Sequence, residues 1–156
     1  MLVTLRKIAA VGAIAFLTVL GGTATASAQP SAPHASQTVT AIQSLATGRC
    51  IDDSDFAFRT NTCNNSIYQD WSAIPYNDGT FQFQDLATGR CIDDSDFAFR
   101  TNTCNTSVYQ GWSAYRSGNG WALQNLSTHR CIDDSDFGFR TNACNGSVYQ
   151  TFSLSL

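Results

Sequence analysis

The feature that most constrains this 156-residue chain is that one passage is written three times. Leu45 to Ser72 is identical to Leu86 to Ser113 at 25 of 28 positions, differing only at Asn65/Thr106, Ile67/Val108 and Asp70/Gly111. The third copy, Leu126 to Ser153, matches the second at 21 of 28 and departs most visibly at His129 for Gly, Gly138 for Ala and Phe152 for Trp. Periods of 41 and then 40 residues describe one supersecondary unit used three times, with the copies burying their apolar faces against each other. Within this sequence they leave no length for a separate catalytic domain.

The cysteines follow the same beat. They stand at 50, 63, 91, 104, 131 and 144, thirteen apart inside every copy. Arg6 and Lys7, the apolar run Ile8 to Leu20 and the small-x-small triplet Ala26-Ser27-Ala28 have the form of a secretory signal peptide over residues 1–28. In an exported chain six regularly spaced cysteines read as three local disulfides, Cys50 to Cys63, Cys91 to Cys104 and Cys131 to Cys144, each worth roughly 3 kcal/mol on the chain-entropy account. Zinc would need paired C-x-x-C ligands or histidines, which the repeat lacks. Residues 29–37 read as a disordered lead-in, and 38–156 as a single domain with repeats over about 38–77, 78–117 and 118–156. Without the leader the charged groups are seven arginines against twelve aspartates, a net of −5 with no Lys and no Glu. That balance argues against a nucleic-acid partner, and the lack of a second long apolar run argues against a membrane span.

The local pattern is that of short strands. Phe81-Gln82-Phe83-Gln84-Asp85-Leu86 alternates apolar and polar residues, and Trp121 to Leu126 does so again, each just after a turn pair, Asp78-Gly79 and Asn119-Gly120. Thr47-Gly48-Arg49 and Asp52-Asp53-Ser54-Asp55 read as further turns. No helical period is sustained after Ala28, so an all-β fold of about twelve strands, four per repeat, with pseudo-threefold symmetry is expected.

Thr47-Gly48-Arg49-Cys50-Ile51-Asp52, followed by Tyr68-Gln69-Asp70-Trp71, resembles the ricin B-type lectins, whose β-trefoil carries Gln-x-Trp once per lobe. Here the motif is Gln69-Asp70-Trp71, Gln110-Gly111-Trp112 and the relaxed Gln150-Thr151-Phe152, each in register with a Cys-Ile-Asp. More narrowly, the lobes are similar to those of the actinohivin-like three-lobed actinomycete lectins. The resemblance implies a β-trefoil with a shallow sugar pocket in each lobe, up to three equivalent sites for mannose-type glycans, acting by multivalent avidity as a secreted, extracellular monomer without cofactor. Carried over position by position, it implies carbohydrate contact by Asp52, Asn64 and Tyr68, by Asp93, Asn105 and Tyr109, and by Asp133, Asn145 and Tyr149. Two departures stand out. Arg59, Arg100 and Arg140 occupy the place of an aromatic residue in the actinohivin-like lobe, and Asn61, Asn102 and Asn142 the place where the broader pattern often has an aromatic platform. The stacking surface then has to come from Tyr68 and its copies or from Phe56, Phe97 and Phe137.

These residue types suit the chemistry. A pyranose offers vicinal hydroxyls at its edge and C–H groups on its face; an ionised Asp accepts from two hydroxyls, Asn gives and takes, and an aromatic ring covers the face. Asp52 and Asn64 adjoin the two half-cystines, so the cross-link would hold them together. Alternatives stand beside each assignment. Asp52 and its copies could cap a turn, Asp53 and Asp55 read as turn and solubility residues, and Arg59 reads as the partner of those carboxylates across the hairpin. Gln69, Trp71, Gln110, Trp112, Gln150 and Phe152 read as core, with the Gln satisfying buried backbone. Of Phe56 and Phe58, alternation points one outward.

Calcium is disfavoured because Asp52-Asp53-Ser54-Asp55 lacks the Gly and the terminal Glu of an EF-hand. An enzyme is disfavoured because the carboxylates are sequence neighbours and only lobe three has a histidine, His129. The competing reading is a secreted protein-binding β-trefoil, an inhibitor or surface interaction module without sugar binding. Asn64-Asn65-Ser66, Asn105-Thr106-Ser107, Asn125-Leu126-Ser127 and Asn145-Gly146-Ser147 fit the N-glycosylation sequon, and modification of the first, second and fourth would block the proposed sites at their own Asn.

Overall fold

The computed structural model describes residues 37–54 and 57–156. The expected signal peptide and all of the expected lead-in except Gln37 lie outside the described residues, as do Asp55 and Phe56. Thirteen short strands form one connected sheet. Lobe 1 contributes β1 (Thr38–Thr40), β2 (Gln43–Ser44), β3 (Arg49–Ser54), β4 (Ala57–Thr62) and β5 (Trp71–Pro75). Lobe 2 contributes β6 (Phe81–Asp85), β7 (Arg90–Ser95), β8 (Ala98–Thr103) and β9 (Trp112–Ser117), and lobe 3 β10 (Gly120–Asn125), β11 (Arg130–Ser135), β12 (Gly138–Ala143) and β13 (Phe152–Ser153). The count exceeds the expected twelve because the first strand of lobe 1 is interrupted at residues 41–42 into β1 and β2.

Antiparallel pairing runs β1–β5, β5–β6, β6–β9, β9–β10, β10–β13 and β13–β2, so the two halves of that interrupted strand close a ring. Closure leaves the ring without a free edge. The hairpins β3–β4, β7–β8 and β11–β12 hang from the ring through β2, β6 and β10. A six-stranded ring capped by three hairpins with threefold repetition is a β-trefoil.

The apolar positions of each repeat converge on this frame. Ile51, Ile92 and Ile132, with Trp71, Trp112 and Phe152, are fully buried. Each indole also needs an acceptor in that environment, and Trp71 and Trp112 donate Nε1–H to the Ile51 and Ile92 carbonyls at 3.0 and 3.1 Å. Phe152 has no such donor to satisfy. Phe58, Phe99 and Phe139 meet one another edge to face, with centroids 5.0, 5.0 and 4.9 Å apart, and so stand about the pseudo-threefold axis. Their neighbours at the hairpin tips, Phe97 and Phe137, are 91% and 83% exposed, which settles for lobes 2 and 3 which Phe of each pair turns out. The three disulfides join the expected partners, Cys50–Cys63, Cys91–Cys104 and Cys131–Cys144.

Three expectations are corrected. Asp52-Asp53-Ser54 is not a turn but the end of β3. Asp53 is not a solubility residue: it is fully buried and accepts from Thr88 Oγ1, Arg90 Nε and Nη2 and Thr101 Oγ1 of lobe 2 at 2.6–3.0 Å. Asp94 receives the same groups from Thr128, Arg130 and Thr141 of lobe 3, and Asp134 accepts from Thr47, Thr60 and, through Nη2 alone, Arg49 of lobe 1. These carboxylates link the lobes in a cycle, and none could be buried without that set of donors. Finally, in the β9–β10 turn the left-handed residue is Gly118 (φ 53), not a residue of the Asn119-Gly120 pair. Gly120 is there because a Cβ would lie 2.5 Å from the Phe152 carbonyl oxygen.

Candidate functional site

Each lobe presents the same cluster where its hairpin meets the 3₁₀ turn that carries the Tyr-Gln pair. In lobe 1 Gln69 is buried and makes three bonds. Its Nε2 donates to Asp52 Oδ2 and to the Thr62 carbonyl, both at 3.0 Å, and its Oε1 accepts from the Asn64 amide at 3.0 Å. The Gln thus satisfies part-buried backbone at the end of the hairpin and in the loop after it, and also holds the Asp. Gln110 and Gln150 repeat the arrangement on Asp93 and Asp133, at 3.2 Å in both.

Asp52, Asp93 and Asp133 are buried at the base of the cluster. The hairpin register sets Asp52 opposite Arg59, Asp93 opposite Arg100 and Asp133 opposite Arg140. The Nε–Oδ1 separations are 3.9, 3.8 and 3.7 Å, too long for hydrogen bonds. The arginine therefore pairs with the first Asp of each Asp-Asp-Ser, not with Asp53 as expected. Asp133 Oδ1 and Arg140 Nε each lack a hydrogen-bond partner among the described residues, as does Asp93 Oδ1. The base of each cluster is thus a carboxylate oxygen beside a guanidinium, an acceptor and a donor set side by side.

At the rim stand Asn64, Asn105 and Asn145, all exposed. Their side-chain oxygens accept from the amides of Ser66, Ser107 and Ser147 at 2.8–2.9 Å, an Asx turn that leaves the amide nitrogen facing outward. In lobe 2 that nitrogen turns back to the Thr103 carbonyl at 3.3 Å. Tyr68 and Tyr109 are half-buried and Tyr149 is exposed.

The structure brings the expected residues together most completely in lobe 3. There Asp133, Asn145 and Tyr149 line one depression of about 210 Å³ with Ser135, Asp136, Phe137, Arg140, Asn142 and Ser147. Neither position where the related lobes carry an aromatic supplies a ring, since these are Arg140 and Asn142. The ring comes from the hairpin tip, where Phe137 lies 5.4 Å beneath the Arg140 guanidinium, and from Tyr149. Arg140 and Asp136 were not among the expected contacts. The signal for the arginine was present, since six of the chain's arginines occur as two per copy against the paired aspartates. Among the described residues no group of three His, Cys, Asp or Glu is placed to hold a metal ion.

The chain belongs to the family of the ricin-type β-trefoil lectin domain, whose model matches residues 38–154. Solved structures agree on the fold. They include the designed three-fold symmetric protein ThreeFoil, with TM-score 0.68 and 12% identity over 74% of this chain and 96% of that one. A Polyporus squamosus lectin bound to a human-type influenza-binding epitope matches with TM-score 0.66 and 10% identity over 76% and 48%. An exo-β-1,3-galactanase from Clostridium thermocellum matches with TM-score 0.67 and 20% identity over 76% and 30%. The chain thus spans nearly all of the designed trefoil but less than half of the fungal lectin and under a third of the galactanase. No curated protein sequence matches.

Proposed function

We propose that this protein is a secreted lectin that binds glycans through the three hairpin clusters, one per lobe, and that it works by multivalency. The observation that carries the reading is the lobe 3 depression, which gathers the Asp133 carboxylate and the half-exposed Arg140 guanidinium with Phe137, Tyr149 and Asn145. Two vicinal hydroxyls can bridge such a pair, one donating to the carboxylate and one accepting from the guanidinium, while a ring covers the sugar's C–H face. Asn145 at the rim adds a donor. The family, and the lectin among the similar structures, support sugar as the ligand.

A shallow site of this kind gives weak single-site binding, of order −4 kcal/mol at millimolar affinity. Three copies on one rigid body raise the avidity for a branched or arrayed glycan by roughly 10² to 10⁴. Mannose-type glycans are the first candidates, from the similarity of the lobes to the actinohivin-like lectins. The test is a glycan array probed with the oxidised chain, carrying α-mannosides, galactosides and xylan oligomers. Saturable binding to one class, displaced by the free sugar, supports the reading. A blank array at high protein density would replace it with the protein-binding trefoil.

A further inference from the structure

Resting on that sugar-binding reading, we propose that the lobe 3 depression is one end of a longer trough crossing the seam between lobes 3 and 1, which takes the further residues of a neutral glycan chain. A groove of about 720 Å³, more than three times the size of the depression, lies on that seam between Thr47, Arg49 and Arg59 of lobe 1 and the hairpin of lobe 3. Ser135, Asp136 and Tyr149 line both cavities, so the two adjoin. A sugar seated on Asp133 would have its neighbour in the groove.

The lobe 1 wall is short of acceptors. At the other two seams Arg90 and Arg130 grip their aspartates with both Nε and Nη2, at 3.0 and 2.8 Å and at 3.1 and 2.7 Å. Arg49 reaches Asp134 through Nη2 alone, at 2.6 Å, and its Nε is buried without a partner among the described residues. Arg59 Nε, on the same wall, is in the same position. The Arg49 and Arg59 side chains are 41% and 43% exposed and line the groove, and sugar hydroxyls and ring oxygens are acceptors for guanidinium N–H groups. Opposite them Asp136 accepts and Tyr149 offers a ring and a hydroxyl.

The lobe 3 side is also more open by its sequence. The hairpin carries Gly138 (φ +100) where the other copies have Ala57 and Ala98, and a Cβ there would meet nothing within 4 Å. The charges select against an anionic ligand. Arg49 is paired with Asp134, Arg59 lies 3.9 Å from Asp52, and Asp136 adds a carboxylate, so the groove holds no surplus cation.

The test is an NMR titration of the full oxidised chain, which reads lobe 3 apart from the other lobes. The probes are methyl α-mannoside, methyl β-galactoside and the linear trisaccharide of each sugar. The methyl glycoside should shift the amides of Asn145 and Tyr149, and their counterparts in the other clusters, without moving Thr47 or Arg49. The matching trisaccharide should also shift Thr47 and Arg49, and bind lobe 3 about tenfold more tightly. Ala46→Trp, which fills the groove from the lobe 1 side, should remove that advantage and leave the methyl glycoside affinity unchanged. Arg49→Lys, which keeps a cation for Asp134 but has no Nε, should reduce it in part. Trisaccharide binding no tighter than the monosaccharide's, or unmoved Thr47 and Arg49 amides, would overturn the proposal while leaving the lectin reading in place. No shift in any lobe with any probe would overturn both.

Discussion

At residue scale, two positions are less favourable than their counterparts in the other copies, and each comparison gives a prediction. His129 holds φ 56 where the other lobes place Gly48 and Gly89 at φ 71 and 67. A residue with a Cβ costs roughly 1–2 kcal/mol in that region, so His129→Gly should stabilise by about 1 kcal/mol and raise the melting temperature. An unchanged melt would show that local contacts of the imidazole offset the strain. Asp85 is the second. Its equivalent in lobe 3, Asn125, accepts from Ser127 and Thr128 amides and donates Nδ2 to the Tyr109 carbonyl at 2.8 Å. Asp85 keeps the accepting side, on Ala87 and Thr88, but its Oδ2 is buried with no partner among the described residues. Burial pushes the Asp85 carboxyl above its ordinary range, and the nearby Asp53 charge adds to the rise, against the hydrogen bonds from Thr88. The folded chain therefore binds this proton more tightly than the unfolded chain does. Its contribution to stability is complete below the ordinary carboxylate range and is lost as pH rises through the raised value. Asp85→Asn should stabilise by about 1–3 kcal/mol at neutral pH and remove that part of the pH dependence. Urea midpoints of the two proteins across pH 3 to 7 check this, and parallel curves would contradict it.

At element scale, the hairpins are fixed from two sides, by a disulfide within the lobe and by a carboxylate reaching into the next. Asp53→Ala removes the acceptor of four hydrogen bonds from β7, β8 and the turn before them. It should cost about 2–4 kcal/mol, below the figure for a wholly buried pair because Arg90 can turn to solvent. Chemical denaturation reads this directly; a loss under 1 kcal/mol would mean that the apolar core alone docks the lobes. The cyclic link was not legible in the sequence, because alternation and turn statistics treat Asp-Asp-Ser-Asp as local, whereas its second Asp bonds residues 35 to 48 positions away. The cysteine pairing, the strands Phe81–Asp85 and Gly120–Asn125 and the buried Gln and Trp of each motif were legible, because thirteen-residue spacing, period-two alternation and in-register repetition are local signals. Tyr149, Asn145 and Asp133 were placed by resemblance and do share one depression. Arg140 and Phe137 were harder to place, because which side of a hairpin tip faces the site depends on a turn conformation that Gly138 alters.

At the scale of the whole molecule, the near-identity of the copies means that three acidic bases are carried on one closed ring at fixed mutual orientation. If each holds a sugar, as proposed, valency dominates binding to an arrayed glycan and the loss of one lobe should cost more than a third of the response. Changing Asp to Asn is the sharper substitution, because the amide still offers Gln69, Gln110 or Gln150 an acceptor while one carboxylate oxygen becomes a donor. The most direct measurement is surface binding of the wild-type chain, the Asp133→Asn variant and the triple variant Asp52→Asn, Asp93→Asn, Asp133→Asn to one immobilised glycan. Thermal melts should confirm that all three proteins are folded. The single change is expected to lower avidity about tenfold or more and the triple change to abolish binding. A folded triple variant that bound as well as the wild type would contradict the assignment of these carboxylates to the sugar.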